Sequence, residues 1–133
     1  MRVTDWELKF REWSWAAYLR PFVWGKFDCA LMAAECVELL TGKHPRPDLI
    51  DAYHTPLGAY RVIGANGGLA GICDAHLNRI PPAEAGTGDI ALGKFGRKES
   101  LMVSIGSTYL LMGKWPELCP KWRVKTLIAW RVE

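Results

Sequence analysis

No apolar run in this chain approaches the ~18–20 residues needed to cross a bilayer, so the sequence predicts no membrane span. The first residues, Met1 to Arg11, alternate charges with aromatics and lack the apolar stretch of a secretory signal. The expectation is a protein made in the cytosol that does not leave by the usual secretory route, with its cysteines as reduced thiols. Those four cysteines, Cys29, Cys36, Cys73 and Cys119, show no Cys-x-x-Cys spacing, which argues against a zinc or iron–sulfur site. No metal and no cofactor is expected. Charge of one sign is also scarce: 17 Lys and Arg against 14 Asp and Glu leave a formal net charge of +3, too mild to point to nucleic acid. The basic residues run together only at Lys94, Arg97, Lys98 and at Lys121, Arg123, Lys125, which read as solvated faces. There is no internal repeat, no low-complexity linker, and histidine occurs only at three positions.

What is present fits a single domain over residues 1–133, long enough for one core without metal or disulfide staples. Half the residues are hydrophobic and 23% charged, which excludes a disordered chain. Seven tryptophans are many for this length; at such density large aromatics build either a core or a contact surface.

The first half reads as helical. Trp6, Phe10, Trp13 and Ala17 form one apolar stripe at helical spacing within residues 1–20, and Pro21 stops it. An aromatic loop, Phe22 to Phe27, leads to Asp28, a natural N-cap. From Cys29 to about Thr41 the chain is apolar on nearly every side, which predicts a central helix wrapped by the rest of the domain and stopped by Gly42. Thr55 caps a shorter helix with Pro56 in its first position, running toward Gly64. Asn66-Gly67-Gly68 breaks it, and Leu69, Ile72, Cys73 and His76 share a face of the next. Residues 21–82 are thus assigned to a helical half and 83–133 to a β half. Strands are expected near Ile90 to Leu92, Leu101 to Ile105, Tyr109 to Met112 and within Val124 to Val132, with Gly106-Ser107 as a two-residue hairpin turn. The segment Trp115 to Trp122 holds two prolines and is read as a stiff aromatic loop rather than a strand. Helices followed by an antiparallel sheet make an α+β domain.

The chemistry-bearing residues lie at Trp24-Gly25-x-x-Asp28-Cys29. A cysteine in the first turn of a buried helix meets the partial positive charge of the helix N-terminus, which favours the thiolate nucleophile. Backbone amides there are also placed to hold a developing oxyanion. Cysteine is equally a small core residue, so position alone leaves packing open.

This segment, Trp24 to Leu31, resembles the nucleophile segment of NlpC-type (papain-like) cysteine peptidases, and Gly88-Asp89-Ile90-Ala91-Leu92 and Leu101 to Gly106 resemble that family's two following signatures. Over residues 20–133 the chain more closely resembles short phage and prophage proteins encoded among tail genes. There Thr41-Gly42, Ile80-Pro81-Pro82, Gly88-Asp89 and Ala129-Trp130-Arg131-Val132 recur in this order. The resemblance implies a papain-like domain in which a central buried helix packs on the sheet, with Trp24, Gly25, Asp28, Gly88, Asp89 and Trp130 as framework. It also implies a histidine opening the strand that ends at Gly106. This chain has Ser100 there, followed by Leu101, and neither can take a proton at neutral pH. The orienting polar position on the next strand falls in Tyr109-Leu110-Leu111-Met112, apolar after its tyrosine. His44 lies at the wrong end of the central helix, roughly 18 Å from Cys29. His54 precedes a helix in a loop, and His76 is expected to be half-buried. Cys29 is therefore expected to be a vestigial nucleophile without a base.

The resulting expectation is a non-catalytic component of a phage tail, in the tip or hub region, present in the host cytoplasm during assembly and then in the virion. It would touch other tail proteins and not nucleic acid, with Trp115 and Trp122 as contact candidates and the N-terminal helix (Trp6, Trp13, Trp15) beside them. An assembly factor absent from the particle is a third possibility. The rival is an active peptidoglycan-cleaving cysteine peptidase used in infection, which would contact peptidoglycan.

Overall fold

The computed structural model describes residues 1–133. The apolar stripe at helical spacing forms α1 (Trp6–Tyr18), and Phe10 and Ala17 on that stripe are buried. The next helix, α2 (Cys29–Thr41), begins where Asp28 accepts a hydrogen bond from Leu31 N at its N-cap. It ends at Gly42, whose φ of +87° is the left-handed conformation that glycine adopts without strain. Eight of its thirteen residues are buried and only Glu38 is exposed. α1 and the sheet cover two of its sides, and Leu31 packs with Leu49 and Ile72 on a third. Two short helices follow, α3 (Pro56–Ala65), capped by Thr55 with Pro56 in its first turn, and α4 (Gly68–Asp74). Each loses its N-terminal continuity where Thr55 or Gly67 leaves helical geometry.

Six strands form one antiparallel sheet: β1 (Asn78–Ile80), β2 (Ile90–Phe95), β3 (Lys98–Ile105), β4 (Thr108–Met112), β5 (Pro116–Pro120) and β6 (Lys125–Arg131), in the order β1-β6-β2-β3-β4-β5. The domain is α+β. β6 returns from β5 to lie between β1 and β2. Alternation then sorts the side chains. Ile90, Leu92, Leu101, Val103, Leu110 and Trp130 face α2 in one core, and Ala91, Met102, Tyr109 and Ala129 fill a smaller one on the opposite face.

The β3–β4 turn has Gly106 at φ +54°, as the glycine-first hairpin requires. Two elements depart from the sequence reading. β1 lies inside the stretch assigned to the helical half; Asn78, Arg79 and Ile80 form a strand only because β6 is there to pair with them. The segment between Trp115 and Trp122 is a strand, not a loop. Its prolines sit at the two ends of β5, and β5 is an edge strand, so the missing N–H groups interrupt no central ladder.

A buried carboxylate ties the chain's two ends to the sheet. Asp89 Oδ1 accepts from Arg2 Nη2 and from Val132 N, both at 3.0 Å, and Oδ2 accepts from Gly86 N at 2.9 Å. Arg131 Nε lies 3.2 Å from Oδ2, an ion pair poorly aimed for a hydrogen bond. Arg2 also donates to the carbonyls of Val132 and Thr87.

Candidate functional site

The cleft over Cys29 is built where β3 and β4 part. Their pairing runs from Val103 and Leu110 to the turn, and beyond it the start of β3 and the end of β4 diverge. The gap, about 490 Å³, is walled by Phe22 and Trp24 on one side and by Leu111 and Met112 on the other, with Cys29 and Ser100 inside. Lys98, Glu99, Lys114 and Glu117 also line it, so both charge signs are present.

The aromatic wall is held by Asp28, which is 2% exposed. Its Oδ1 caps α2; its Oδ2 accepts from Gly25 N at 3.1 Å and from the Tyr53 hydroxyl at 2.7 Å. Gly25 adopts φ +78°, and a Cβ there would come 2.0 Å from the Tyr53 carbonyl oxygen. The turn thus needs glycine for both its backbone angle and its closeness to Tyr53. Trp24 packs edge-on against Phe22 and Tyr53, with ring centroids at 4.6 and 6.4 Å. Burial, followed by the hydrogen bond to Asp28, pushes the Tyr53 hydroxyl far above the usual phenol range. Tyr53 therefore acts as a neutral donor. Nothing in the sequence alone pointed to it, because it comes from a loop that folds back onto the turn.

Cys29 occupies the first position of α2, half-buried at the base of the cleft. At Cys29 the field of the helix N-terminus meets an opposing effect. Burial pushes the Cys29 thiol up, and the neighbouring Asp28 charge adds to that push. The Leu101 backbone, the Ser100 side chain and the Ala30 backbone oppose the shift without overcoming it. The direction is that of an inert thiol.

Ser100 lines the same cleft as Cys29, and its hydroxyl donates to the Leu101 carbonyl at 3.2 Å. No histidine lines this space. His44 accepts a hydrogen bond at Nδ1 from Arg46 N at 3.1 Å, within its own loop. His54 is exposed in the loop before Thr55. His76 is exposed too, not half-buried: α4 ends at Asp74, so the helical face drawn through Leu69, Ile72 and Cys73 does not extend to it.

The other framework residues are structural. Gly88 has φ +89° and passes against Leu40 and Arg2, and Asp89 is the carboxylate that ties the termini. Trp130 is fully buried and donates from Nε1 to Asp74 Oδ1 at 2.9 Å. Asp74 accepts hydrogen bonds from Nε and Nη2 of Arg79, at 2.8 and 2.7 Å. Of the two basic runs, Lys94, Arg97 and Lys98 are exposed as expected, whereas Lys121 donates to the Ala85 carbonyl at 2.9 Å and packs over Tyr109. The four cysteines are free thiols, and no three His, Cys, Asp or Glu side chains converge.

The tryptophans divide between core and surface. Trp130 is buried, and Trp6 and Trp13 pack partly against the main core. Trp24 lines the cleft. Trp15, Trp115 and Trp122 are 67%, 51% and 84% exposed. Trp115 and Trp122 stand at opposite ends of β5 instead of on one loop. No helix is long and apolar enough to cross a membrane. Compared with known proteins, residues 1–132 match the family described as Domain of unknown function (DUF6950). No curated protein and no solved structure matches.

Proposed function

The chain belongs to the DUF6950 family, and from that premise we propose that it is a non-catalytic structural component of a phage tail, at the tip or hub, or of tail assembly. On this reading the fold is of the NlpC-type, papain-like kind, reused as a building block. The observation that carries it is the composition of the cleft: Ser100 and no imidazole shares it with Cys29, whose thiol burial pushes up. Acyl transfer from such a site would lack a base for the thiol and a proton donor for the leaving amine. The order of Trp24-Gly25, Asp28-Cys29, Gly88-Asp89 and Trp130 along the chain supports the link to tail-encoded proteins. Exposed Trp115 and Trp122 supply anchors of the kind that carry contact energy between proteins.

One observation favours the rival reading of a peptidoglycan peptidase. Cys29 lies in an open, aromatic-walled cleft instead of being sealed in the core. Incubating the purified protein with bacterial sacculi and following newly released amino groups separates the two. No release is expected from the wild type. Release that disappears in Cys29→Ala would establish an enzyme. Mass spectrometry of purified particles should detect the chain in the virion and its depletion in the Trp115→Ala/Trp122→Ala double variant, which should fold normally when isolated. Its absence from wild-type particles would assign it to assembly in the host cytoplasm instead.

A further inference from the structure

We propose that the β2–β3 hairpin and the segment of chain crossing beside it form a docking surface for single-stranded nucleic acid, DNA or RNA. This goes beyond the tail reading and does not rest on it.

The modest net charge conceals an uneven distribution. Residues 94–125 carry seven Lys and Arg against two acids, whereas the rest of the chain carries ten against twelve. Six of those ten, Arg2, Arg20, Lys26, Arg46, Arg79 and Arg131, form ion pairs; none of the seven does. The fold then gathers five of the seven at one end of the sheet. Phe95 pairs with Lys98 across a two-residue turn, which puts Arg97 at the apex of the hairpin. Lys94 stands directly opposite Lys125 on β6, like charges about 5 Å apart at Cβ, an arrangement that costs stability. Glu99, opposite Lys94 on its other side, is the single acid among them. A Cβ at Gly93 would come 3.0 Å from Val124 Cγ1, so the crossing segment lies against the hairpin and brings Arg123 beside it. Lys94, Arg97, Lys98, Arg123 and Lys125 are all exposed. A cluster that repels itself and pairs with no acid of its own chain is left to attract an anion from outside.

Two aromatic rings select the anion. Trp122 is 84% exposed, with the Arg123 guanidinium 5.6 Å from its ring centre, and Phe95 is 38% exposed within the hairpin. Two residues of chain on each side of the Val124–Gly93 contact keep these residues within roughly 20 Å of one another, at up to ~3.5 Å per residue. Cations that hold phosphates, interleaved with faces on which bases stack, are the two elements of sequence-tolerant single-strand binding. A duplex keeps its base faces stacked on each other and would use the cations alone. The core of a protein–protein contact is depleted of charge, unlike this surface. A membrane surface would call for an apolar apex, and the apex here is Gly96-Arg97.

Fluorescence anisotropy of a labelled oligothymidylate of about 20 nucleotides, longer than one such site, tests this on the full chain. An oligouridylate of the same length tells DNA from RNA, and binding of either supports the surface. Affinity should fall with salt at a log–log slope of about −3, since five phosphate contacts at ~0.7 each give up to ~3.5. Arg97→Glu/Lys98→Glu should weaken binding at least about tenfold and reduce the slope by about 1.4. The charge-matched control Lys9→Glu/Arg11→Glu, exposed on α1, should keep the wild-type slope and stay within about threefold in affinity. Trp122→Ala should weaken binding about tenfold with the slope unchanged, the effect of one lost base stack. These substitutions alter exposed side chains, so thermal midpoints should match the wild type. Trp122 is also an anchor in the contact proposed above, whereas Arg97→Glu/Lys98→Glu changes this surface alone. No binding at low salt, an equal loss in the α1 control, or full binding by Trp122→Ala would overturn the inference. Equal affinity for a duplex or for poly-glutamate would overturn it too, leaving the patch to phosphates alone or to an acidic protein.

Discussion

Asp28 serves three donors with two oxygens: the α2 amide at Leu31, the amide of Gly25 and the Tyr53 hydroxyl. It therefore both starts the buried helix and positions the aromatic wall beside Cys29. Removing it strips a helix cap, worth about 1 kcal/mol. It also leaves a buried hydroxyl and an amide without an acceptor, at about 1–3 kcal/mol more. Asp28→Ala should lose about 3 kcal/mol of unfolding free energy in urea titration, and the near-ultraviolet signal of Trp24 should change; a loss under 1 kcal/mol would mean the network is incidental. Ser100 allows a test of the opposite kind. Because burial holds the Cys29 thiol above its ordinary value, its alkylation should accelerate only at pH values more alkaline than for a free cysteine. Ser100→His would place an imidazole within reach of the sulfur, and its protonated form favours thiolate. The onset of Cys29 alkylation, followed by peptide mapping to separate it from Cys119, should then move toward neutral pH. An unchanged profile would show that position 100 does not address the thiol.

At the scale of elements, the seam between α4, β1 and β6 depends on one exposed carboxylate. The two bonds from Arg79, then the Trp130 indole N–H, hold Asp74 down to about 2. Its folded-state value lies below that of the unfolded chain, ~3.9. The stabilisation is thus complete above the unfolded value and disappears as pH falls through about 2. Wild type and Asp74→Asn should differ in urea midpoint at pH 6 and converge as the pH falls toward 2. A gap that persists at the acid end would assign the difference to the Trp130 bond alone. Element by element, periodicity and caps were readable: α1 from its stripe, α2 from Asp28 and Gly42, α3 from Thr55-Pro56, and the β3–β4 hairpin from Gly106-Ser107. β1 and β5 were not. Three residues of β1 carry no usable period, and proline reads as a breaker unless the strand is known to lie at an edge.

For the whole molecule, closure runs through Asp89, where a residue near each terminus meets the start of β2. Arg2 is 14% exposed at its side chain and gives three hydrogen bonds there, to Asp89, Val132 and Thr87. Arg2→Ala removes one partner of a buried charge and should cost about 3 kcal/mol. The loss should appear as one cooperative shift in urea unfolding, because the N-terminal strap, α2 and the sheet share this junction. A separate early transition confined to α1 would show that the strap is independent.

The sequence by itself determined the α+β class and the central helix with Cys29 at its head. Each of these is a local property of period, cap or residue identity, and local properties survive without knowledge of neighbours. Only the tertiary structure decided that Ser100 shares the cleft with Cys29, that Tyr53 closes the Asp28 network, and that Asp89 joins the two ends. These depend on contacts between residues 25 to 130 positions apart. It also set the burial that pushes the Cys29 thiol up. The helix N-terminus can be read from a few residues, but desolvation is set by everything packed around the sulfur.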